Sequence, residues 1–379
     1  MDMKLGLGII AVILVAGIAF FAMNRPTGLA ALPAGEGTIT IGAIQPLTGS
    51  AANVGQGDRA AIELAVDEIN AKGGINGKKL AILFEDGQCD AKASATAAKK
   101  LTEIDNVPAI LGGACSSETM GAAPIAEKAG VVMLSNCSSN PAITNMGDYI
   151  FRAYPSDSFQ GKIGAEIAFS KIGAKKIAIL SCQSDWCTGI KKVFKENFLA
   201  LGGQIAAEEE FAQGATDLRT QWLKVKEAAP EMVYFLAYPE ETVPALRQAK
   251  ELGIDVKMLG ADAWGDPAIW EQLNEAGEGK MYTEPFSPLT AAFKEAMLKK
   301  TGKSDISVCS PQAYDAAYIL ADALKKCGGG SACIKNELYA VKGYAGVSGT
   351  ISFDPNGDLT TADYAVKIVQ NGKAVDYSG

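Results

Sequence analysis

The sequence contains no histidine. That absence removes the commonest general base, the commonest metal ligand and the usual charge switch between about pH 5 and 8. It argues against a zinc site and lowers the case for hydrolytic catalysis, leaving carboxylates, Lys, Tyr and Cys as the available chemistry. Basic blocks are missing too. The net charge is −8 and is spread along the chain, so nothing supplies the positive patch that a nucleic acid or an anionic membrane surface requires. No two cysteines stand in CxxC spacing, which speaks against a metal centre. There is no acceptable GxSxG elbow or Walker sequence. The letters GQGDRA at 55–60 match a dinucleotide fingerprint. They lie about ten residues beyond the nearest strand, however, where a nucleotide turn would follow at once.

Long apolar runs are equally scarce. The one that stands out, residues 5–23, follows Lys4 and precedes Arg25 and Pro26. A secretory apolar region has about 7–15 residues and a spanning helix about 20, so this run is nearer the spanning length, with cleavage after Ala31 or Ala34 as the alternative. Residues 1–24 are therefore expected to be a signal peptide or membrane anchor, and 25–38 a linker rich in Gly, Pro and Ala. No cysteine precedes Cys89, which closes the bacterial lipid-attachment route. The bulk of the chain is expected to be periplasmic or extracytoplasmic, tethered to the inner membrane if the run is retained.

What is present fits export. Eight cysteines suit an oxidising compartment. Cys182/Cys187 and Cys327/Cys333 are close enough in sequence to close short loops, and disulfides are favoured over a metal or a redox dithiol. The length of 379 residues, with 48% hydrophobic and 21% charged residues, suits two or three globular α/β domains.

Short β-type runs alternate with amphipathic helical stripes. Strands are expected at 39–44, 80–84, 109–111 and 131–134, with helices at 58–71, 91–104 and 116–129 between them. A second series begins after 153–157: helix 158–171, strand 176–180, helix 189–201, strand 204–208, helix 217–228, strand 232–236, helix 242–252 and strand 257–259. The tail adds helices near 289–301 and 311–326 and β-type runs at 349–353 and 364–369, with the turn DPNGD at 354–358 between those runs. Repeated βα units with short connections imply parallel sheets covered on both faces, and two series imply two Rossmann-like lobes.

Ligands of open parallel sheets sit beyond the C-terminal strand ends, which directs attention to particular loops. Loop 112–117 (GGACSS) enters a helix, so two glycines, the hydroxyls of Ser116 and Ser117 and a helix N-terminus would suit a carboxylate; a plain serine N-cap is the bland alternative. Loop 135–141 repeats the pattern with Ser138 and Ser139, where ordinary turn chemistry is the alternative. Asp262 follows strand 257–259 and could face an ammonium, or could merely cap a short helix. Trp186, Tyr238 and Trp264 stand in loops of the second series, where aromatic rings can cover a ligand.

The runs IGAIQPLTGS at 41–50, EINAKGGING at 68–77, EDGQCD at 85–90, FRAYPSD at 151–157 and FDPNGD at 353–358 resemble type I periplasmic solute-binding proteins. The similarity is greatest to the branched-chain amino-acid (Leu/Ile/Val) group that serves ABC transporters. The resemblance covers about residues 39–370 and implies an α/β fold of two lobes joined by a three-strand hinge. Lobe one would combine 39–155 with 286–345, and lobe two 156–285 with 346–379. It further implies that Ser116, Ser117, Ser138 and Ser139 hold an α-carboxylate, that Asp262 holds an α-ammonium, and that Trp186 and Tyr238 complete the far wall. The family disulfide falls on Cys89 and Cys115. A Cys137–Cys309 bridge within lobe one is conceivable.

Two departures bear on the ligand. The amino-acid binders often carry a longer acid in place of Asp262, and glycine-alanine-threonine in place of Cys137-Ser138-Ser139. The implied function is amino-acid binding for an ABC permease of the inner membrane, by a monomer without catalysis, cofactor or nucleic-acid partner. The alternative is a sensor or binding protein for an amide, urea or an aromatic acid.

Overall fold

The computed structural model describes residues 37–377, save the side chain of Asn274. The apolar run 5–23 and the linker up to residue 36 lie outside the described residues. Among the described residues, no helix is long and apolar enough to cross a membrane.

The first sheet is built from β1 (Thr38–Gln45), β2 (Lys79–Asp86), β3 (Ala109–Gly112), β4 (Val132–Ser135) and β5 (Ile150–Arg152). They lie in the order β2-β1-β3-β4-β5, all parallel. Helices α1 (Ala52–Ala71), α2 (Ala91–Lys99) and α3 (Ser116–Ala129) supply the crossovers. Successive residues serve opposite faces, as the pleat demands. Ala109 and Leu111 pack with α1 residues such as Ile62, while Ile110 packs with Leu101 and Ala122. Burial on both faces is what makes these short strands almost wholly apolar.

The second sheet continues with α4 (Asp157–Glu166), β6 (Lys176–Gln183), α5 (Asp185–Ala200), β7 (Gln204–Ala212), α6 (Arg219–Ala228), β8 (Met232–Leu236), α7 (Pro239–Glu251), β9 (Lys257–Gly260), α8 (Pro267–Leu273) and β10 (Met281–Pro285). The chain then forms α9 (Ala291–Thr301), α10 (Ser310–Cys327) and α11 (Ser331–Tyr339), the small hairpin of β11 (Tyr344–Gly346) with β12 (Gly349–Ile351), and finally β13 (Tyr364–Gln370) and β14 (Lys373–Asp376). The second sheet runs β14-β13-β10-β9-β8-β6-β7, parallel from β10 to β7 and antiparallel from β10 to β14. Central β8 is buried throughout. Edge strand β7 instead carries Glu208 and Glu210, which pair with Lys195 and Lys191 of α5, a charged edge that discourages pairing with another sheet.

Two lobes of mixed α/β character were thus readable from the alternation of runs, but several boundaries move. α1 begins at Ala52, and Gly55 within it lets the helix approach the Pro46 carbonyl, where a Cβ would stand 2.2 Å away. The look-alike fingerprint at 55–60 is therefore helix. α7 begins at Pro239, whose fixed φ suits a first helical position. The expected helices 91–104 and 158–171 each finish in a π-type turn, at Lys100–Ile104 and Ile167–Lys171. Short β5, β10, β11 and β14, and helices α8 and α11, carry too little periodic pattern to stand out in the sequence. The chain passes between the sheets at 153–156 and 286–290. Ile351 and Phe353 still pack with the first sheet's core, and Val369 with the second's.

Candidate functional site

A cleft lies where the C-terminal strand ends of the two sheets face each other. Its first wall is made by the loops after β3 and β4. After β3 the chain turns at Gly112 and Gly113 into α3. Both glycines serve backbone packing rather than an approach to a ligand: a Cβ at Gly112 would meet the Ile44 carbonyl at 2.0 Å, and one at Gly113 would meet Glu118 at 2.3 Å. The buried Glu118 carboxylate folds back to accept the N–H groups of Cys89, Ala114 and Cys115 at 3.0–3.1 Å. Burial pushes its carboxyl up to about 7 against those three donors. The first-turn N–H groups of α3, at Ser116 and Ser117, have no partner inside the helix, and they carry the positive end of its dipole.

The loop after β4 is held from several sides. Ser138 is buried, and its hydroxyl lies within hydrogen-bond distance of the carbonyls of Gly113, Ala114 and Cys115 (2.9–3.2 Å) and of the Thr119 hydroxyl (2.7 Å). The Asn140 N–H donates to the Ser116 hydroxyl at 3.1 Å. The buried Arg152 guanidinium donates to the Asn140 carbonyl at 2.9 Å and grips Asp358 with two donors at 2.6 and 2.7 Å. Asn136 receives a hydrogen bond from Gln45 and gives one to the buried Asp58. Ser139 is left facing the cleft, and its hydroxyl donates to Asp157 at 2.8 Å.

The second wall carries the opposite chemistry. Asp262 opens a helical turn after β9, is buried, and accepts from the Tyr154 hydroxyl at 2.6 Å and the Ala263 N–H at 3.1 Å. Burial raises its carboxyl to about 6, although those donors pull the other way. Asp157, one hydrogen bond behind Ser139, is raised well above the ordinary range, first by burial and then by the Asp262 charge. Among the described residues its Oδ1 and the Tyr238 hydroxyl have no hydrogen-bond partner. Trp186, at the start of α5, packs on Tyr238, the N-cap of α7, with ring centroids 5.1 Å apart.

The structure therefore brings Ser116, Ser139, Trp186, Tyr238 and Asp262 into one cleft. Two expected residues stand apart. Ser138 spends its hydroxyl on the backbone beneath the loop, and Ser117, one helical position past Ser116, lines a separate groove at the mouth with Gln183 and Gln213. Trp264, expected near a ligand, belongs to the core: it is fully buried, packs on Phe235 and Trp270, and its carbonyl accepts the Trp270 indole N–H. Tyr154 and Asp157 were missed as site residues. They lie in the crossing FRAYPSD, and their proximity to Asp262 arises only when the lobes are folded together.

Four disulfides join Cys89–Cys115, Cys137–Cys309, Cys182–Cys187 and Cys327–Cys333, with no cysteine left free. The lobes touch at the mouth. Gln213 donates to the Ser50 hydroxyl at 2.9 Å, and the Asn140 amide donates to the Asp185 carbonyl at 2.6 Å.

Residues 38–373 match the family described as periplasmic binding protein. A leucine-, isoleucine-, valine-, threonine-, and alanine-binding protein of Pseudomonas aeruginosa is 30% identical over 91% of this chain and 94% of its own. Among solved structures, the branched-chain amino acid transporter substrate binding protein LivJ of Streptococcus pneumoniae, in complex with isoleucine, shares 31% identity. It superposes with a TM-score of 0.82 over 90% of this chain and 100% of its own. The leucine binding protein LivK of Thermotoga maritima has a TM-score of 0.83 and 28% identity over 90% of this chain and 98% of its own.

Proposed function

The chain belongs to the periplasmic binding protein family, and on that premise we propose that it is the extracytoplasmic substrate-binding component of an ABC transporter. It takes an amino acid, branched-chain or similar, between two closing lobes and presents it to a permease of the inner membrane. The observation that carries this reading is the opposition of the two walls. Ser116 and the N-terminus of α3 offer donors for a carboxylate, with Ser139 beside them, and Asp262 offers negative charge for an ammonium. A zwitterion enclosed there has both charges paired, which enclosure away from water demands. The unpartnered Tyr238 hydroxyl and the Trp186 ring complete the far side.

The protein works as a monomeric binder without turnover, since its relatives are named as binding proteins and the sequence lacks histidine. Residues 5–23 tether it to the inner membrane if they are not cleaved. Lobe one combines 39–155 with 286–345 and lobe two 156–285 with 346–379, and the packing of Ile351 and Phe353 with the first core supports a third crossing some residues later. A second reading, an amide, urea or aromatic acid as ligand of a sensor or binder, draws on one observation: Asp262 already accepts a hydrogen bond from Tyr154.

Calorimetric titration decides between them, using protein unfolded and refolded with disulfides intact to strip carried ligand. A dissociation constant of about 1 μM or below for an amino acid supports the first reading. Binding confined to an amide, urea or aromatic acid moves the assignment to the second.

A further inference from the structure

The Cys137–Cys309 disulfide is the feature of the cleft that the proposed function leaves unused. It joins the loop after β4 to the residue preceding α10, with its Cα atoms 5.5 Å apart. Both cysteines line the cleft. They pack with Val54 of α1, Val308 and the ring of Tyr154 into a small apolar cluster separate from the main cores. The Tyr154 hydroxyl at the edge of that cluster donates to Asp262, and Ser139 lies two residues from Cys137. The cluster therefore stands beside both sets of groups that would hold a zwitterion's charged ends, and it offers only carbon and sulfur to whatever extends from them.

We propose that the Cys137–Cys309 disulfide, with Val54 and Val308, is the wall that receives the ligand's side chain and limits its size to a short branched aliphatic group. The inference rests on the amino-acid reading above and deepens it. A covalent bridge between a loop and a helix start yields less than unbonded side chains do, so the wall does not retreat to admit a larger group. Packing of one methylene against such a surface is worth roughly tenfold or more in discrimination. A wall of sulfur and valine gives no partner to a polar side chain, whose burial there carries a desolvation cost.

The test is calorimetric titration of the native protein and of C137A/C309A with valine, leucine and phenylalanine. Removing both sulfurs leaves no free thiol and hollows the wall. The expected result is that the preference for valine over phenylalanine falls roughly tenfold, while Cys137→Val with Cys309→Ala, which restores bulk without the bond, recovers part of it. V308A keeps the disulfide and serves if the cysteine variants do not fold; it should shift the same ratio in the same direction. A ratio that stays within about twofold of the native value in every folded variant overturns the inference while leaving the amino-acid reading intact. Native protein that binds none of the three overturns both, and the two failures are thereby told apart.

Discussion

The two walls of the cleft are built on different principles. The first wall is a set of loops immobilised from behind: Glu118 ties together three backbone N–H groups, Ser138 reaches three carbonyls, Arg152 holds Asn140, and two disulfides enter the same loops. The second wall depends on aromatic packing around carboxylates raised by burial, and the Asp262 charge raises Asp157 further. A pre-organised wall of donors costs little to dock against. A wall of buried acids gains most when a cation arrives to relieve it. If the ligand is an amino acid, as proposed, the difference predicts that the first lobe captures its carboxylate and that its ammonium then favours closure of the second.

The largest expected effect comes from removing the acid of the second wall. Asp262→Ala should weaken amino-acid binding by at least about 2 kcal/mol, because the ligand's ammonium is then buried without its partner; a change of a few tenths of a kcal/mol or less would take Asp262 out of the site.

Acidity should sharpen the same contrast. A carboxyl raised to about 6 holds a proton below that pH, and the proton competes with the ammonium. Affinity is predicted to weaken by up to about tenfold for each pH unit below 6 and to level off above about 7. The unliganded fold follows the opposite sign. Between the ordinary carboxyl value of 3.8 and about 6, the native state holds this proton more tightly than the unfolded chain does, so stability declines as pH rises through that window. Titrations at several pH values with D262N as the control check both slopes. A flat affinity profile in the native protein removes the acid–ammonium pairing from the account.

Two neighbouring serines give a finer comparison. Ser139→Ala should weaken binding by about 1.5 kcal/mol, since it removes a cleft-facing hydroxyl and leaves Asp157 without its hydrogen bond. Ser138→Ala should instead lower unfolding stability by about 1 kcal/mol and leave affinity nearly unchanged, because its hydroxyl faces the backbone beneath the loop. Thermal unfolding beside calorimetry separates the two. Equal losses of affinity would mean that the loop acts as a unit and that the division of roles is wrong.

That pair also shows where the sequence stops being informative. The polar loops after strands were legible, because a short apolar run followed by Gly, Ser and a helical stripe marks a strand end. Which of two adjacent hydroxyls faces a cleft was not, because it depends on the third partner each finds, here the Gly113–Cys115 carbonyls for one and Asp157 for the other. Trp264 looked like a ligand cover from its loop position, but Phe235, distant in sequence, and Trp270, one short helix further on, claim it for the core. Tyr154 and Asp157 lie in a run that carries the family resemblance, but nothing local marks them as site residues. They reach the site only because the chain crosses between sheets at that point and meets Asp262 more than a hundred residues later.

The opposition of the walls is tested most directly by taking one ligand apart. Isoleucine, its deaminated acid 3-methylpentanoate and its decarboxylated amine 2-methylbutylamine would be titrated into the same refolded protein. Complementary walls predict that isoleucine binds and that each analogue, lacking one charge, binds at least about a hundredfold more weakly. If 3-methylpentanoate matched isoleucine, the second wall would not be an ammonium site, and the account of Asp262 and Asp157 would be contradicted.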